Sequence, residues 1–412
     1  MKLSYSKTFA IGLGFFTVNL VWAIYNVAVP LYLDNLGLSG TSVGIVMTID
    51  NIFALLFLPI FGALSDRTQT RYGKRMPYLL VGIPLSAIAF FVIPFSIKSL
   101  AFLMTSVIAL NFFMSVYRAP TVALMPDVTP RPLRSKANGI INFMGGLGSV
   151  VAFFLSGILF NIAEFVPYAS VSVIMIITII LMFNIVKEPE TISNEKEENS
   201  DYEASASDSS ERGKLLSLIF LLLAIFFWYT GFNAVETFFS TYGQKILGID
   251  KSDSSFLLAI FSALFLISCI PAGLIAGKLG RKKTIMAGII ILLSAFVSMI
   301  FIKTISVIYV IMGLGGIGWA LININSYPMV VEMTSNRGIG KYTGYYYFFS
   351  MMSAIVSPIL YGFLKDILGD GFMFIYSSIA TIAALFFMML VKHGEARQQP
   401  VKAFESLEYM ET

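Results

Sequence analysis

The sequence has almost no thiol or imidazole chemistry and few charges. Its 412 residues include one cysteine, Cys269, and one histidine, His393. A single cysteine excludes an intrachain disulfide, and a histidine beyond the last apolar run excludes histidine metal sites within a membrane. Charged residues make up only 13%, against about 25% in soluble domains. With 57% hydrophobic residues and a mean hydropathy of +0.81, the chain is predicted to be an integral membrane protein.

Apolar runs recur along nearly the whole chain. Each is long enough to cross a hydrocarbon core of ~30 Å as a helix. We predict twelve spans, at 9–33, 41–64, 77–97, 100–125, 137–163, 167–187, 214–242, 253–277, 283–303, 305–331, 342–364 and 371–391. The chain is therefore expected to be an all-α polytopic protein whose main surroundings are the lipid bilayer.

A polar segment separates the sixth and seventh spans. Its sequence, "EPETISNEKEENSDYEASASDSSERGK", is acidic and rich in serine, which predicts a disordered linker. We divide the chain into a first bundle (1–187), a linker (188–213), a second bundle (214–392) and a tail (393–412). Most of the 28 lysines and arginines lie in segments on the same side of the predicted membrane as the N-terminus. Both termini and the linker are thus predicted to be cytoplasmic, in a plasma membrane.

The two bundles resemble each other in sequence. "MPDVTPRPLRSKANG" (125–139) aligns with "VVEMTSNRGIGKYTG" (330–344), so that Asp127 matches Glu332 and Lys136 matches Lys341. Both stretches follow the fourth span of their bundle. Six spans repeated once around a central linker is the pattern of carriers that rock about a central site.

Two stretches carry a family resemblance. "GALSDRTQTRYGKRMPYLLVG" (62–82) resembles the loop signature of the major facilitator superfamily, in the longer form of its glycoside–pentoside–hexuronide branch. "YRAPTVALMPDVTPRPLRSKANGIINFMGGLG" (117–148) is similar to prokaryotic relatives of the sucrose/proton symporters. The resemblance implies twelve helices in two pseudo-symmetric bundles. It also implies a sugar site lined by spans one, four, seven and ten.

The sequence departs from that branch at positions that bear on ion coupling. Sodium-coupled members carry acidic residues where this chain has Ala54 and Leu58, and the acid of the sucrose type in span four is replaced by Val107. The resemblance therefore favours protons over sodium as the coupling ion. No other cofactor is expected.

Three ionisable residues fall within predicted spans, where charge is costly and usually functional. Arg118 lies about 13 Å along a helix from Asp127, near the membrane midplane. It cannot deprotonate and so needs a sugar or a carboxylate as partner, for which Asp50 is the candidate. Because burial disfavours a charged carboxyl group, Asp50 is our first choice as proton carrier. Glu236 is a second candidate, closer to the midplane if the seventh helix breaks at Gly231.

Amide and aromatic residues at helical spacing predict the substrate site, since amides bond sugar hydroxyls and aromatic faces stack on sugar rings. The predicted substrate contacts, besides Arg118, are Asn19, Trp22 and Asn26 on span one, Tyr229 and Asn233 on span seven, and Trp319, Asn323 and Tyr327 on span ten. Packing or interfacial anchoring is the alternative role of each.

The loop charges predict a gate on the cytoplasmic side. We expect Asp66 near a helix N-terminus, where it is favoured electrostatically, and Gly73 in a tight turn. Arg67, Arg71, Lys74 and Arg75 are expected to bridge to acids such as Asp127 and Glu332. Lys136 and Lys341, which occupy matching positions in the two similar stretches, complete the predicted gate.

The sequence favours a proton-coupled symporter for a disaccharide or another glycoside, working by alternating access as a monomer. A drug/proton antiporter of the same fold and a sodium-coupled sugar symporter are the alternatives. No motif of a hydrolase or metalloprotease occurs, so we do not expect an enzyme or a nucleic-acid-binding protein.

Overall fold

The chain folds almost entirely as helix. The computed structural model describes residues 4–130, 133–188, 208–333 and 339–393. Its helices are α1 (Tyr5–Asn35), α2 (Gly40–Met47), α3 (Ile49–Arg67), α4 (Met76–Val92), α5 (Leu100–Val128), α6 (Arg134–Leu159), α7 (Val166–Ile185), α8 (Asp208–Tyr242), α9 (Lys251–Leu279), α10 (Arg281–Phe301), α11 (Ile305–Val331), α12 (Ile339–Leu368) and α13 (Met373–Leu390). Within these described residues, twelve segments are long and apolar enough to cross a membrane, with α2 and α3 forming one of them. The twelve predicted spans and the all-α fold class are confirmed.

The packing of the first seven helices repeats in the remaining six. In the first half α5 packs against α3 and α4, and α4 packs against α7. In the second half α11 packs against α9 and α10, and α10 packs against α13. The halves meet where α2 contacts α12, α6 contacts α9 and α1 contacts α8. A twofold axis that relates two six-span bundles brings these same pairs of helices together.

The bundle has two ends that are chemically distinct. We call the end that carries residues 188 and 208 the linker side, because the linker lies between them. The other end, the opposite side, carries the loops 36–39, 160–165, 243–250 and 369–372. Several helices begin at the opposite side with a capping side chain. For example, the Asp250 carboxylate accepts a hydrogen bond of 2.9 Å from the Asp253 amide at the start of α9.

Glycines bring the two halves into backbone contact near the opposite side. A Cβ atom on Gly44 of α2 would overlap the Pro358 carbonyl of α12, and one on Gly362 of α12 would overlap the Gly40 carbonyl. Helices approach this closely only where a side chain is missing. The halves are therefore tightly closed against each other on the opposite side.

Helix α8, the seventh span, begins earlier than the sequence predicts and is unbroken. It runs without interruption from Asp208 to Tyr242, so the break at Gly231 that would bring Glu236 closer to the midplane does not occur. Gly231 instead allows α8 to lie against the Ser377 carbonyl of α13. The helix also begins inside the segment predicted as linker, so residues 208–213 belong to α8. The rest of the linker after Glu188, and the tail from residue 394, lie outside the described residues.

Candidate functional site

Asp50 lies just after an interruption in the second span. Helix α2 ends at Met47, Thr48 interrupts the helix, and Asp50 occupies the first turn of α3. A carboxylate is favoured there by the unpaired amides of a helix N-terminus. The half-buried Asp50 side chain accepts a hydrogen bond of 2.8 Å from the side-chain amide of Asn51. It remains open to further partners.

The other two charged residues of the spans interact with Asp50 through space. Arg118 is half-buried on α5, about 15 Å before the end of that helix. Its charge interacts with that of Asp50, but the two residues, both of which the structure describes, do not form an ion pair. The expected Asp50–Arg118 pair is thus absent from this conformation. Glu236 interacts electrostatically with Asp50 from the second half. Its side chain is exposed although its neighbours on α8 are buried, so Glu236 faces the space between the halves.

A hydrogen-bonded network joins α8, α11 and α12 in the second half. The side-chain amide of Asn323 donates to the Tyr229 hydroxyl over 3.1 Å, and that hydroxyl is 3.1 Å from the hydroxyl of Tyr346. The Tyr346 hydroxyl is also 3.2 Å from the Ser326 hydroxyl. The network combines donors and acceptors in an apolar setting, as a site for a polyhydroxylated ligand requires.

Trp319 packs next to this network and is itself buried, with an exposed fraction of 5%. Its ring stacks on Phe232 with a centroid distance of 3.9 Å and an interplanar angle of 3°, and Tyr229 contacts it edge-on at 5.3 Å. Packing from both neighbours fixes the indole orientation. The predicted faces of spans seven and ten therefore meet at Trp319 and Tyr229.

The two remaining predicted contacts of the second half bond to α12. The Asn233 side-chain amide donates to the Ser353 hydroxyl over 3.5 Å, and the Tyr327 hydroxyl is 3.1 Å from that of Thr343. Sequence reasoning missed the residues of α12, including Tyr346. The spacing of seven that joins Tyr346 to Ser353 places them on one helix face and could have indicated them.

The predicted residues of α1 are half-buried but have different surroundings. The Asn19 side chain donates to the Phe15 carbonyl over 2.9 Å and accepts from Ser149 of α6 over 3.3 Å, so its polar atoms are used within the first half. The Trp22 indole nitrogen is buried without a hydrogen-bond partner among the described residues. Asn26 lies one turn further along the same face. The polar groups of Trp22 and Asn26 are thus not used in hydrogen bonds with other described residues.

Arg75 organises the linker side of the first half. Its guanidinium group bonds to Asp66 and Ser65, and its Nε donates to the Asp127 carboxylate over 3.0 Å. Lys74 approaches the same Asp127 oxygen to 3.2 Å. Asp66 is at the C-terminal end of α3, not near a helix N-terminus as expected from the sequence. The paired Arg75 offsets its charge at that end.

The carboxylate that does lie at a helix N-terminus is Glu188, which the sequence analysis did not single out. It accepts hydrogen bonds from the backbone amides of Lys74, Arg75 and Met76, at 2.8–3.1 Å. A Cβ atom on Gly73, whose φ is +103°, would overlap the Glu188 carboxylate. The missing side chain of Gly73 thus permits both the left-handed backbone conformation and the close approach of Glu188.

The other predicted gate residues do not bridge the halves. Arg67 is exposed, and Arg71 bonds to the neighbouring Tyr72 hydroxyl and not to an acid. Glu332 forms an ion pair with Arg281 of its own half. Lys341 is exposed, 5.8 Å from the centre of the Tyr345 ring. The Lys136 side chain lies outside the described part of the chain.

Ion pairs between the halves are found instead on the opposite side. The Asp34 carboxylate contacts Lys245 at 2.6 Å and Lys365 at 3.0 Å, and Lys365 also contacts Asp370 at 3.1 Å. We call these four residues the Asp34 cluster. Among the described residues, no hydrogen bond or ion pair joins the halves on the linker side. The ion pairs and hydrogen bonds that the described residues form between the halves therefore lie at the opposite side.

Two further contacts strengthen the closure at the opposite side. Asp366 of α12 accepts hydrogen bonds from the backbone amide and hydroxyl of Thr41 at the start of α2, over 2.9 and 2.7 Å. Lys251 of α9 forms an ion pair with Glu164, which belongs to the first half. Each tie joins one half to the other.

The chain belongs to the Major Facilitator Superfamily, whose sequence profile matches residues 11–358 and, in an overlapping match, 221–408. The class H tetracycline resistance protein of Pasteurella multocida is 22% identical over 340 residues, covering 79% of this chain and 80% of the relative. The isoprimeverose transporter of Lactiplantibacillus pentosus is 23% identical over 307 residues, covering 70% of this chain and 62% of the relative.

Solved structures show the same fold. The crystal structure of a D-xylose-proton symporter superposes with a TM-score of 0.71 at 14% sequence identity, covering 95% of this chain and 99% of that one. The chain is thus a multi-pass membrane transporter of small molecules and not an enzyme.

Proposed function

We propose that the protein is a proton-coupled sugar symporter that takes up a disaccharide or a related glycoside. In this proposal residues 1–187 and 214–392 are the two bundles that rock around a central site. Both termini and the linker are cytoplasmic, so the linker side is the inner face of a plasma membrane. The described conformation then corresponds to a carrier closed towards the outside.

The observation that carries the proposal is the network of Asn323, Tyr229 and Tyr346 beside the fixed indole of Trp319. An amide and two phenols supply donors and acceptors for sugar hydroxyls. The similarity to an isoprimeverose transporter supports the same substrate class. Drug pockets have less need for such a concentration of hydroxyl and amide groups.

Asp50 and Glu236 support proton coupling. They approach each other from different halves and interact electrostatically. Two carboxylates that interact across the space between the halves repel each other, so protonation of one favours the approach of the halves on the linker side. Arg118 adds a charge that Asp50 can pair with once its proton is released. Proton binding and bundle movement are thereby linked.

An exporter is the second candidate, because the tetracycline resistance protein matches a larger share of the chain than the sugar transporter does. Purified protein in proteoliposomes distinguishes the two. Under an inward proton gradient we expect uphill accumulation of a labelled disaccharide, and a sodium gradient alone should not replace it. Proton-driven movement of tetracycline or a dye with no accumulation of any sugar would instead assign the exporter function.

A further inference from the structure

The first half contains buried polar groups that the proposed sugar site does not use. Tyr25 and Tyr32 of α1 and Tyr168 of α7 have exposed fractions of 0%, 4% and 0%. Tyr25 and Tyr32 are seven residues apart and so lie on one face of α1. These three buried phenol groups thus lie one after another in space, between the centre of the protein and its opposite side.

The outer part of this series is hydrogen-bonded. The Tyr168 hydroxyl donates to the Tyr32 hydroxyl over 3.2 Å, and the Tyr32 hydroxyl donates to the Glu164 carboxylate. Glu164 belongs to the loop between α6 and α7, and its side chain is 35% exposed. The series therefore reaches solvent on the opposite side through an acid that can exchange protons with water.

The innermost member of the series is Tyr25, two turns of α1 from Tyr32. The Tyr25 hydroxyl interacts electrostatically with both Asp50 and Tyr168. The Tyr25 hydroxyl lies against the Asn111 side chain, but neither it nor the buried Asn111 side-chain oxygen makes a hydrogen bond of ordinary geometry among the described residues. Unpaired buried polar groups are uncommon, and a bridging water or an alternative hydroxyl position satisfies them.

We propose that Tyr32, Tyr168 and Tyr25 form a proton path that connects Glu164 on the opposite side with Asp50 in the centre, separate from the route of the sugar. The inference rests on the proposed proton coupling. It adds to that coupling a route by which the central carboxyl group is loaded.

The transfer conserves protons at every group. The Tyr32 and Tyr168 hydroxyls, which donate towards Glu164 in the described conformation, first turn to donate inwards. A protonated Glu164 then gives its proton to the Tyr32 oxygen while the Tyr32 proton passes to Tyr168. The Tyr168 proton passes to Tyr25, directly or through one water, and the Tyr25 proton passes to Asp50. Each hydroxyl gains one proton as it loses one, so Glu164 ends ionised, Asp50 ends neutral and no phenol changes its charge.

Two features interrupt the path in the described conformation. Lys251 of the second half holds Glu164 as an ion pair, which opposes its protonation, and among the described residues no hydrogen bond joins Tyr25 to Tyr168 or to Asp50. Lys251 moves away from Glu164 when the halves separate on the opposite side, whereas Tyr32 and Glu164 stay together within one half. Protons therefore enter the path only when the opposite side is open, and this prevents a proton leak across the membrane.

The test compares two transport modes of the full-length protein in proteoliposomes. Counterflow exchanges labelled for unlabelled disaccharide without net proton transfer, whereas uptake driven by a pH gradient needs a proton in every cycle. We expect Tyr25→Phe and Tyr168→Phe to retain counterflow within about twofold and to lose about tenfold in driven uptake, a modest share of what a positioned proton donor contributes. Tyr376→Phe, which removes a buried hydroxyl of the second half, should change neither mode.

A second pair of variants separates proton transfer from the tie between the halves. Glu164→Gln and Lys251→Met both remove the ion pair, but only Lys251→Met keeps the carboxyl group. We expect Glu164→Gln alone to lose driven uptake. Equal losses in this pair, wild-type driven uptake in both phenylalanine variants, or a parallel loss of counterflow and driven uptake would each overturn the path. A wild-type protein that shows no proton-driven uptake would instead contradict the proposed function.

Discussion

Substitution of Asp34 by asparagine tests whether the Asp34 cluster holds the opposite side closed. Asp34 belongs to the first half, and Lys245 and Lys365, its two partners, belong to the second. Both contacts therefore exist only when the halves meet on that side. Asparagine keeps the shape of the side chain and one acceptor oxygen but removes the charge. The variant thus weakens one conformation without removing any predicted sugar contact.

The size of the effect follows from the exposure of the two lysines. The Lys245 side chain is 41% exposed, so its ion pair contributes at most about 1 kcal/mol. The Lys365 side chain is 5% exposed, and a hydrogen bond to such a charged group contributes about 1.5–3 kcal/mol. Asp370 remains beside Lys365 and offsets part of the loss. A net change of about 2 kcal/mol lowers the closed-to-open ratio about 30-fold.

Pulsed electron spin resonance measures this ratio directly. In a Cys269→Ala background, spin labels at Asn35 and Leu368 mark the two halves at the opposite side, where both positions are exposed. Labels at Tyr72 and Leu279 mark the linker side in the same way. We expect Asp34→Asn to lengthen the first distance and shorten the second, because the halves rock about a shared centre.

Asp250→Asn is the matched control for this experiment. Asp250 lies on the same side and caps α9, but its bond to the Asp253 amide is within the second half. The Asp250→Asn variant should leave both spin-label distance distributions unchanged. If Asp34→Asn also left them unchanged, or shifted them no more than Asp250→Asn, the Asp34 cluster would not determine the closed conformation.

Three further predictions concern other parts of the molecule. Arg75→Lys should lower the free energy of unfolding by about 2–3 kcal/mol in thermal melts, because a lysine cannot contact Asp66 and Asp127 together through a planar fork; an unchanged melting temperature would contradict this. Gly44→Val should separate the halves in the same spin-label assay, since its side chain would overlap the Pro358 carbonyl, and a retained short distance would show that α2 can shift. Asn323→Ala should raise the KM for sugar about tenfold through the loss of a buried amide donor, with counterflow at saturating sugar preserved; a lower maximal rate at unchanged KM would argue against direct sugar binding.

The sequence predicted the twelve spans because each depends on local hydrophobicity and length, which need no knowledge of tertiary contacts. It also brought Tyr229, Trp319 and Asn323 into one proposed site, since helical spacing places polar residues on one face. Span boundaries were less accurate where helices extend beyond the apolar core, as at the start of α8. Gly231, considered as the point of a break in the seventh helix, instead allows close packing of α8 against α13.

Pairings between distant segments could not be predicted from one sequence. Asp34, Lys245 and Lys365 each lie near a span end and look like ordinary interfacial charges until the fold brings them together. Glu188 was read as the first residue of an acidic linker, yet it caps the start of α4. The same limit applies to Asp50 and Arg118. Their proximity was anticipated, but their lack of a direct ion pair depends on the conformation adopted.

The central claim, proton-coupled sugar symport, is tested most directly by recording proton and sugar influx together in proteoliposomes that contain wild type or Asp50→Asn. A trapped pH-sensitive dye reports protons, and a labelled disaccharide reports sugar. We predict that sugar addition acidifies the lumen of wild-type vesicles in a fixed ratio to sugar uptake. We predict that Asp50→Asn exchanges sugar by counterflow but drives neither uphill uptake nor acidification. Full uphill transport by Asp50→Asn, or sugar entry without proton entry in the wild type, would contradict the proposed coupling.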